Sequence, residues 1–546
     1  MKKYFLFIAV NVFAFTAVAQ TTKPAPKATK PKLIVGIVID QMRYDYIYRF
    51  WDKFGTDGFK KLVNEGFFCK NTNFNYVPTY TGPGHAAVYT GTTPAVNGII
   101  ANDWFDKNTQ KYMYCAEDNK VTGLGTTAKE GKRSPVNLLT TTITDELRIS
   151  SNMKSKVIGI ALKDRSAILP AGHVANAAYW FDGSNGCFIS STYYMAELPK
   201  WVQEFNKKEL PKFYLSQPWN TLLPIEKYTE SLPDDNKYET LAKGELKPVF
   251  PHDLPNLYPK NGGYGMIRNT PFGNSLTKDF AIETMKQENL GKSTATDFLA
   301  ISFSSPDYIG HSYGPNSIEQ EDDYLRLDKD LAELIKAIEL QVGKGNALIF
   351  LTADHAAPEV PAYLVDLKIP AGYVNEDKMT DSLKKYLTKT YGDSLVLSYS
   401  NQQLFLNHRV IEAKKLYLPQ VQEDVAAFMM KFADVSEVIT GTTMNNTQFT
   451  EGVRYLMQKG YNAKRSGDVL VNYSPGYVDF MPTGTTHGSP YSYDTHVPLL
   501  FYGWNIKQGS STEQVYITDI APTLAMLLNI QFPNGTTGKP ISFIVK

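Results

Sequence analysis

The chain has 546 residues, 43% of them hydrophobic and 13% aromatic, so there is ample material for a large core. Its 56 basic and 55 acidic residues leave a formal charge of +1, a balance that speaks against nucleic acid or an anionic membrane surface as the target. Three cysteines, at 69, 115 and 187, are too few and too widely spaced for a compact zinc motif.

Residues 1–19 read as a secretory signal peptide: Lys2-Lys3, an apolar stretch from Tyr4 to Phe15, then Ala17-Val18-Ala19 before Gln20. Removing this leader, which holds two lysines and no acid, takes the charge from +1 to −1. No cysteine follows the cleavage point to carry a lipid, and no later apolar run approaches the length of a membrane span. Residues 20–32, rich in Lys, Pro, Ala and Thr, have too little apolar surface to fold and form a tether. A soluble periplasmic or secreted protein without membrane insertion is expected, with Cys69–Cys115 as the favoured disulfide and Cys187 free.

The fold begins at Leu33. Leu33 to Ile39 is a continuous apolar, largely β-branched run, the pattern of a strand buried on both faces, and Asp40 follows it at once. The pattern recurs. Val157 to Leu162 leads to Lys163-Asp164-Arg165, Phe298 to Phe303 leads to Asp307 and His311, and Ala347 to Leu351 leads to Asp354-His355. Leu327, Leu331, Leu334, Ile335 and Ile338 make a helical stripe, Leu499 to Tyr502 is a further strand, and Asp519 to Leu528 a helix with Pro522 in its first turn. The expectation is an α/β fold, a largely parallel sheet with helices on both faces. Two stretches break the alternation. Residues from about 186 to 274, rich in Pro, Tyr and Trp, read as an insertion over the sheet edge that would roof the site, and residues from about 360 to 484 as a small α+β insertion.

Pro78-Thr79-Tyr80-Thr81-Gly82-Pro83-Gly84-His85 reads as a loop becoming a helix. A hydroxyl at that point meets unpaired backbone N–H groups and the positive end of the helix dipole, so Thr81 stands where an alkoxide is stabilised. A threonine there is most often only a cap, and Asp-His is an ordinary dipeptide. What shifts the balance is the set: Asp40, Asp307, His311, Asp354, His355 and His487 are carboxylates and imidazoles that follow strands or lie in loops and would converge on one rim. A mixed N/O set without thiolate suits two zinc ions, and a pair of metals suits in-line phosphoryl transfer to a hydroxyl such as Thr81. Charged phosphate oxygens then need donors, for which Asn102, Lys163 and Arg165 are the candidates. Lys163 and Arg165, two apart at a strand end, would share a face with Asp164 turned aside.

As a set in this order, these motifs resemble the alkaline phosphatase superfamily, and more narrowly its zinc-dependent, phosphate-irrepressible bacterial branch, over nearly the whole mature chain. The resemblance implies one zinc on Asp307, His311 and His487 and another on Asp40, Asp354 and His355, with Thr81 adjoining as nucleophile and a phosphothreonine intermediate. It also implies that Lys163 stands where better-known relatives bind magnesium, so that no magnesium is expected. Small phosphate monoesters are the implied substrates, and a monomer is expected. The rival within the superfamily is a nucleotide pyrophosphatase/phosphodiesterase, which lacks the Lys-x-Arg pair. A sulfatase is disfavoured because His85, not Arg, follows Thr81-Gly82-Pro83-Gly84. From another class, a non-catalytic zinc- or phosphate-binding protein would be expected to have lost the nucleophile or a ligand.

Overall fold

Five parallel strands make the centre of the main sheet. Leu33–Ile39, buried at every position, pairs with Ala347–Thr352 on one side and Asp297–Phe303 on the other. Val157–Ala161 and Ala177–Asp182 continue the parallel run. Strands covered on both faces need apolar residues at every position, which is why these segments read as unbroken runs. Covering is visible along Ala177–Asp182: Ala178 and Trp180 pack in a cluster with Ala167, Ile168 and Leu169, whereas Tyr179 and Phe181 join the main core, Tyr179 with its ring 5.4 Å from Phe280. Helices Asp164–Ala171 and Phe272–Gln287 therefore lie on opposite faces.

Antiparallel strands are added at both margins. His496–Gly503 runs antiparallel to Ala347–Thr352 and to Phe67–Asn73, with Gly509–Tyr516 at that edge. Cys187–Ser191 and Gly123–Leu124 complete the other side of a ten-stranded sheet. The strand predicted at Leu499–Tyr502 is thus present but reversed, so the loop preceding it, not one following it, reaches the rim where the parallel strands end.

This computed structural model describes residues 30–546, of which Pro31–Lys546 form one compact unit. The signal peptide and nearly all of the tether read from the sequence lie outside the described residues. No helix among the described residues is long and apolar enough to cross a membrane. Within residues 186–274, Val202, Phe205, Leu215 and Trp219 are buried in the main core. Residues 360–484 hold a sheet of their own, ordered Val396–Ser400, Gln403–Leu406, Val469–Tyr473, Val435–Thr440. Helices Glu376–Tyr391 and Leu418–Met429 pack on it around Leu383, Leu404, Val425 and Val469.

The expected Cys69–Cys115 disulfide is not formed. All three thiols are free, and Cys69 and Cys115 are buried in separate apolar clusters, one in the strand Phe67–Asn73 and the other beside the helix Asp164–Ala171. Burial pushes both thiols up to about 12.

Candidate active site

The carboxyl ends of the parallel strands supply the site. Asp40 follows Leu33–Ile39 directly, Asp354 and His355 follow Ala347–Thr352, and Asp307 and His311 share one face of the helix Ser305–Tyr313 just past Asp297–Phe303. His487 comes from the loop before the reversed strand His496–Gly503.

Five of the six groups fall into two overlapping clusters. Asp307, His311 and His487 bring ligand atoms within 4.8 Å of one another, and so do Asp40, Asp307 and His355. His311 Nε2 is 3.1 Å and His487 Nε2 3.5 Å from Asp307 Oδ1. His355 Nε2 is 3.5 Å from Asp40 Oδ1 and 3.6 Å from Asp354 Oδ2, which places Asp354 at the margin of the second cluster and Asp307 between the two. Each imidazole is oriented through its other nitrogen: Nδ1 of His311 lies 2.7 Å from the Thr485 carbonyl, of His487 2.7 Å from Thr79, and of His355 3.0 Å from Ala356. Nδ1–H donating to a carbonyl turns each Nε2 toward the cluster, the orientation metal-ligating histidines adopt.

Burial sets the charge states. It pulls His487 down to about 3 and lowers His355, and these two rings stack with centroids 3.4 Å apart, a contact two imidazolium ions would oppose. Burial also raises Asp40, with Asp354 adding to it, and pushes Asp354 up to about 7. Asp40 Oδ1 and Asp354 Oδ2 are buried with no hydrogen-bond partner. Unpartnered buried carboxylate oxygens beside neutral imidazole nitrogens are donors lacking positive charge, so this set fits a metal ion.

Among the described residues, Lys163 supplies the one side-chain cation in contact with both clusters, its Nζ 2.6 Å from Asp307 Oδ2 and 2.7 Å from Asp40 Oδ2. Burial would lower it, but Asp307 and Asp40 outweigh burial and keep the ammonium charged. The strand ends at Ala161, Lys163 is the cap residue of the helix Asp164–Ala171, and Arg165 lies in that helix's first turn, so strand alternation does not align them. Asp164 does turn aside, to Arg133 and the Tyr114 hydroxyl. Arg165 Nη1 is 3.2 Å from the Tyr114 hydroxyl, and its buried Nε has no partner.

Thr81 begins the helix Thr81–Thr90, its Oγ1 3.5 Å from His355 Nε2. Asn102 Oδ1 accepts from the Gly82 N–H at 2.8 Å, fixing the first turn and leaving the amide with donors to offer. Gly84 is required by proximity: a Cβ there would lie 2.1 Å from the Asp354 carbonyl oxygen.

Three supporting residues went unassigned in the sequence. Gln41, held at φ 62°, donates from Nε2 to Asp307 Oδ1 at 2.8 Å and from its backbone N–H to Asp354 Oδ1 at 3.2 Å. His85, one helical turn after Thr81, bonds the Thr81 carbonyl and the Ser302 hydroxyl and lies 3.3 Å from Asp354 Oδ2. Their signals were position: a polar residue beside Asp40, and i+4 spacing from Thr81. The third is Tyr114, visible only in three dimensions. A cleft of about 170 Å³ opens beside His487, lined by Tyr80 and by Glu376, Tyr473 and Tyr477 of the small α+β region. No described residue of 186–274 lines it, so the roof expected from that stretch is not over this cleft.

Residues 34–491 match the family model described as type I phosphodiesterase / nucleotide pyrophosphatase. The chain is 46% identical over 534 residues to a protein of Myroides odoratus named calcium-transporting ATPase, covering 97% of this chain and 96% of that one. It is 44% identical over 530 residues to alkaline phosphatase PafA of Elizabethkingia meningoseptica, covering 96% of each. The crystal structure of wild-type alkaline phosphatase PafA superimposes with a TM-score of 0.92 at 43% identity, covering 95% of this chain and all of that one, and a second structure is a mutant altered at a threonine, an asparagine, a lysine and an arginine. With the strand ends, the metal-competent clusters and these matches agreeing, the chain belongs to the alkaline phosphatases of the type I phosphodiesterase / nucleotide pyrophosphatase family.

Proposed function

We propose that the protein is an exported phosphate-monoester hydrolase in which Thr81 is the nucleophile. The observation that carries this reading is the placing of the Thr81 hydroxyl at a helix N-terminus, 3.5 Å from His355 Nε2 and beside carboxylate oxygens that have no partner. Two zinc ions, one on Asp307, His311 and His487 and one on Asp40, Asp354 and His355, would supply Lewis acidity toward the attacking and leaving oxygens when bound. Asn102, Lys163 and Arg165 are the donors for the non-bridging oxygens. Their residue types and order, with Thr81, match the four positions altered in the PafA mutant structure. Thr81 Oγ1 bonds to phosphorus as the ester oxygen leaves, giving phosphothreonine, and water then releases inorganic phosphate and restores the hydroxyl. The Lys163 ammonium between Asp40 and Asp307 takes the place of a magnesium ion. The terminal phosphoryl group of a nucleoside triphosphate presents the same three oxygens, so cleavage of ATP would use the same groups.

The test is hydrolysis of p-nitrophenyl phosphate and of bis-p-nitrophenyl phosphate by the purified protein. Expected are a monoester rate well above the diester rate, loss of both on chelation, and recovery with zinc but not magnesium. A faster diester rate would move the phosphodiesterase reading ahead, and a folded, zinc-loaded protein without turnover would favour a binding protein.

A further inference from the structure

The phosphate end of the site is cationic, but the cleft that leads away from it is not. No lysine or arginine among the described residues lines this cleft. It begins at Tyr80, adjacent to Thr81 and edge-on to the His487 ring at 5.7 Å, so whatever leaves from a phosphorus atom beside Thr81 has this space next to it. It is also lined by Tyr473 and Tyr477 with Glu376 and Asp479, all from the small α+β region. Glu376 is held in place, its Oε1 accepting from the Tyr473 hydroxyl at 2.5 Å, with Tyr399 in turn 2.7 Å from Tyr473. Burial pushes Glu376 up to about 7, so it is ionised at alkaline pH. A second observation comes from Asp494, 1% exposed, which also lines the cleft. Its Oδ2 accepts from the Gly488 and Ser489 N–H groups, while its Oδ1 is buried with no partner.

Tyrosine rings beside carboxylates, one of them with an unsatisfied oxygen, are the chemistry that takes up an organic cation: ring quadrupoles attract its charge and carboxylates neutralise it. Resting on the monoesterase reading above, we propose that this cleft is a leaving-group subsite that selects phosphate monoesters of cationic alcohols, such as quaternary ammonium or protonated amino alcohols.

Choline phosphate and 3,3-dimethylbutyl phosphate have the same shape and differ by the cationic charge, so the ratio of their kcat/KM values isolates recognition of charge. Comparing that ratio between wild type and variant cancels the intrinsic reactivity of the two esters. At pH 9, Glu376→Gln is expected to lower the ratio about fivefold or more, and Asp479→Asn, at an exposed position, to lower it by a smaller factor in the same direction. Free choline is expected to inhibit wild type more strongly than 3,3-dimethylbutanol does, a readout that needs no variant. A ratio unchanged within twofold in both variants, or equal inhibition by the two alcohols, would overturn the subsite while leaving the phosphatase reading intact. Failure of zinc-loaded wild type to cleave the neutral ester would overturn that reading, and the subsite with it.

Discussion

The two halves of the site use the same residue types and hold their charges in opposite ways. In the half made of Asp307, His311 and His487, burial would raise Asp307, but His311 and Lys163 outweigh it and hold the carboxyl well below its usual range, while the same contact lifts His311 against burial. In the half made of Asp40, Asp354 and His355, burial raises both carboxyls, with Asp354 adding to the rise of Asp40 and Asp307 to that of Asp354, and two oxygens are left without partners. One half is therefore largely neutralised by the protein itself, and the other depends on a charge from outside. Thr81 stands at the second half, where a positive charge would be most strongly bound and would most acidify a neighbouring hydroxyl.

The sharpest way to break this contrast is to remove one hydroxyl from each half. Thr81→Ala should lower kcat/KM for a monoester by about 10⁴-fold or more, since it deletes the proposed nucleophile. Thr79, whose hydroxyl only donates to the Ser489 carbonyl at 3.1 Å while its own carbonyl orients His487, should lose less than about tenfold as Thr79→Ala. Steady-state kinetics with metal content measured alongside checks both. Comparable losses would place the chemistry on neither half in particular.

Lys163 touches both halves and Arg165 neither, so removing them together tests whether the cations serve the phosphate or the carboxylates. Charge-assisted hydrogen bonds are worth about 1.5–3 kcal/mol each, so the double alanine variant should lose about 10²–10⁴ on a monoester dianion. A matched diester, with one fewer charged oxygen, should lose about tenfold or less. Equal proportional losses would mean that the pair serves the architecture rather than substrate charge.

The smallest effect is on stability and reads the contrast directly. Asp354, raised to about 7, contributes stability that is complete below its unfolded pKa of about 4 and lost as pH rises through 7. Asp307, lowered, contributes stability that is present above about pH 4 and lost only in acid. In chelator-treated protein at pH 8, Asp354→Asn should therefore stabilise and Asp307→Asn destabilise, each by about 2 kcal/mol, seen as thermal midpoints moving in opposite directions. Shifts of the same sign would show that the two halves are electrostatically alike.

How much of this was legible in the sequence depended on the strands. Asp40, Asp307, Asp354 and His355 could be picked out because each follows a doubly buried parallel strand, and the ends of such strands meet at one rim whatever the loops do. His487 was found from its motif alone, for its strand runs the other way and its loop reaches the rim from the opposite end. Gln41 and His85 were in plain view beside Asp40 and Thr81, but their service to Asp307 and Asp354 spans 266 and 269 positions of chain.

By itself, then, the sequence determined the α/β class, the carboxylates and imidazoles at the strand ends and the threonine at a helix start, because strand burial and helix starts are local consequences of residue pattern. Only the tertiary structure decided the rest. It kept Cys69 and Cys115 in separate cores, set Lys163 and Arg165 on a helix start rather than a strand, and let the region around Glu376, not residues 186–274, wall the cleft beside His487. The physical reason is the same in each case. These are contacts between segments far apart in the chain, chosen by how layers pack and how buried charges find partners, and no short-range pattern records them.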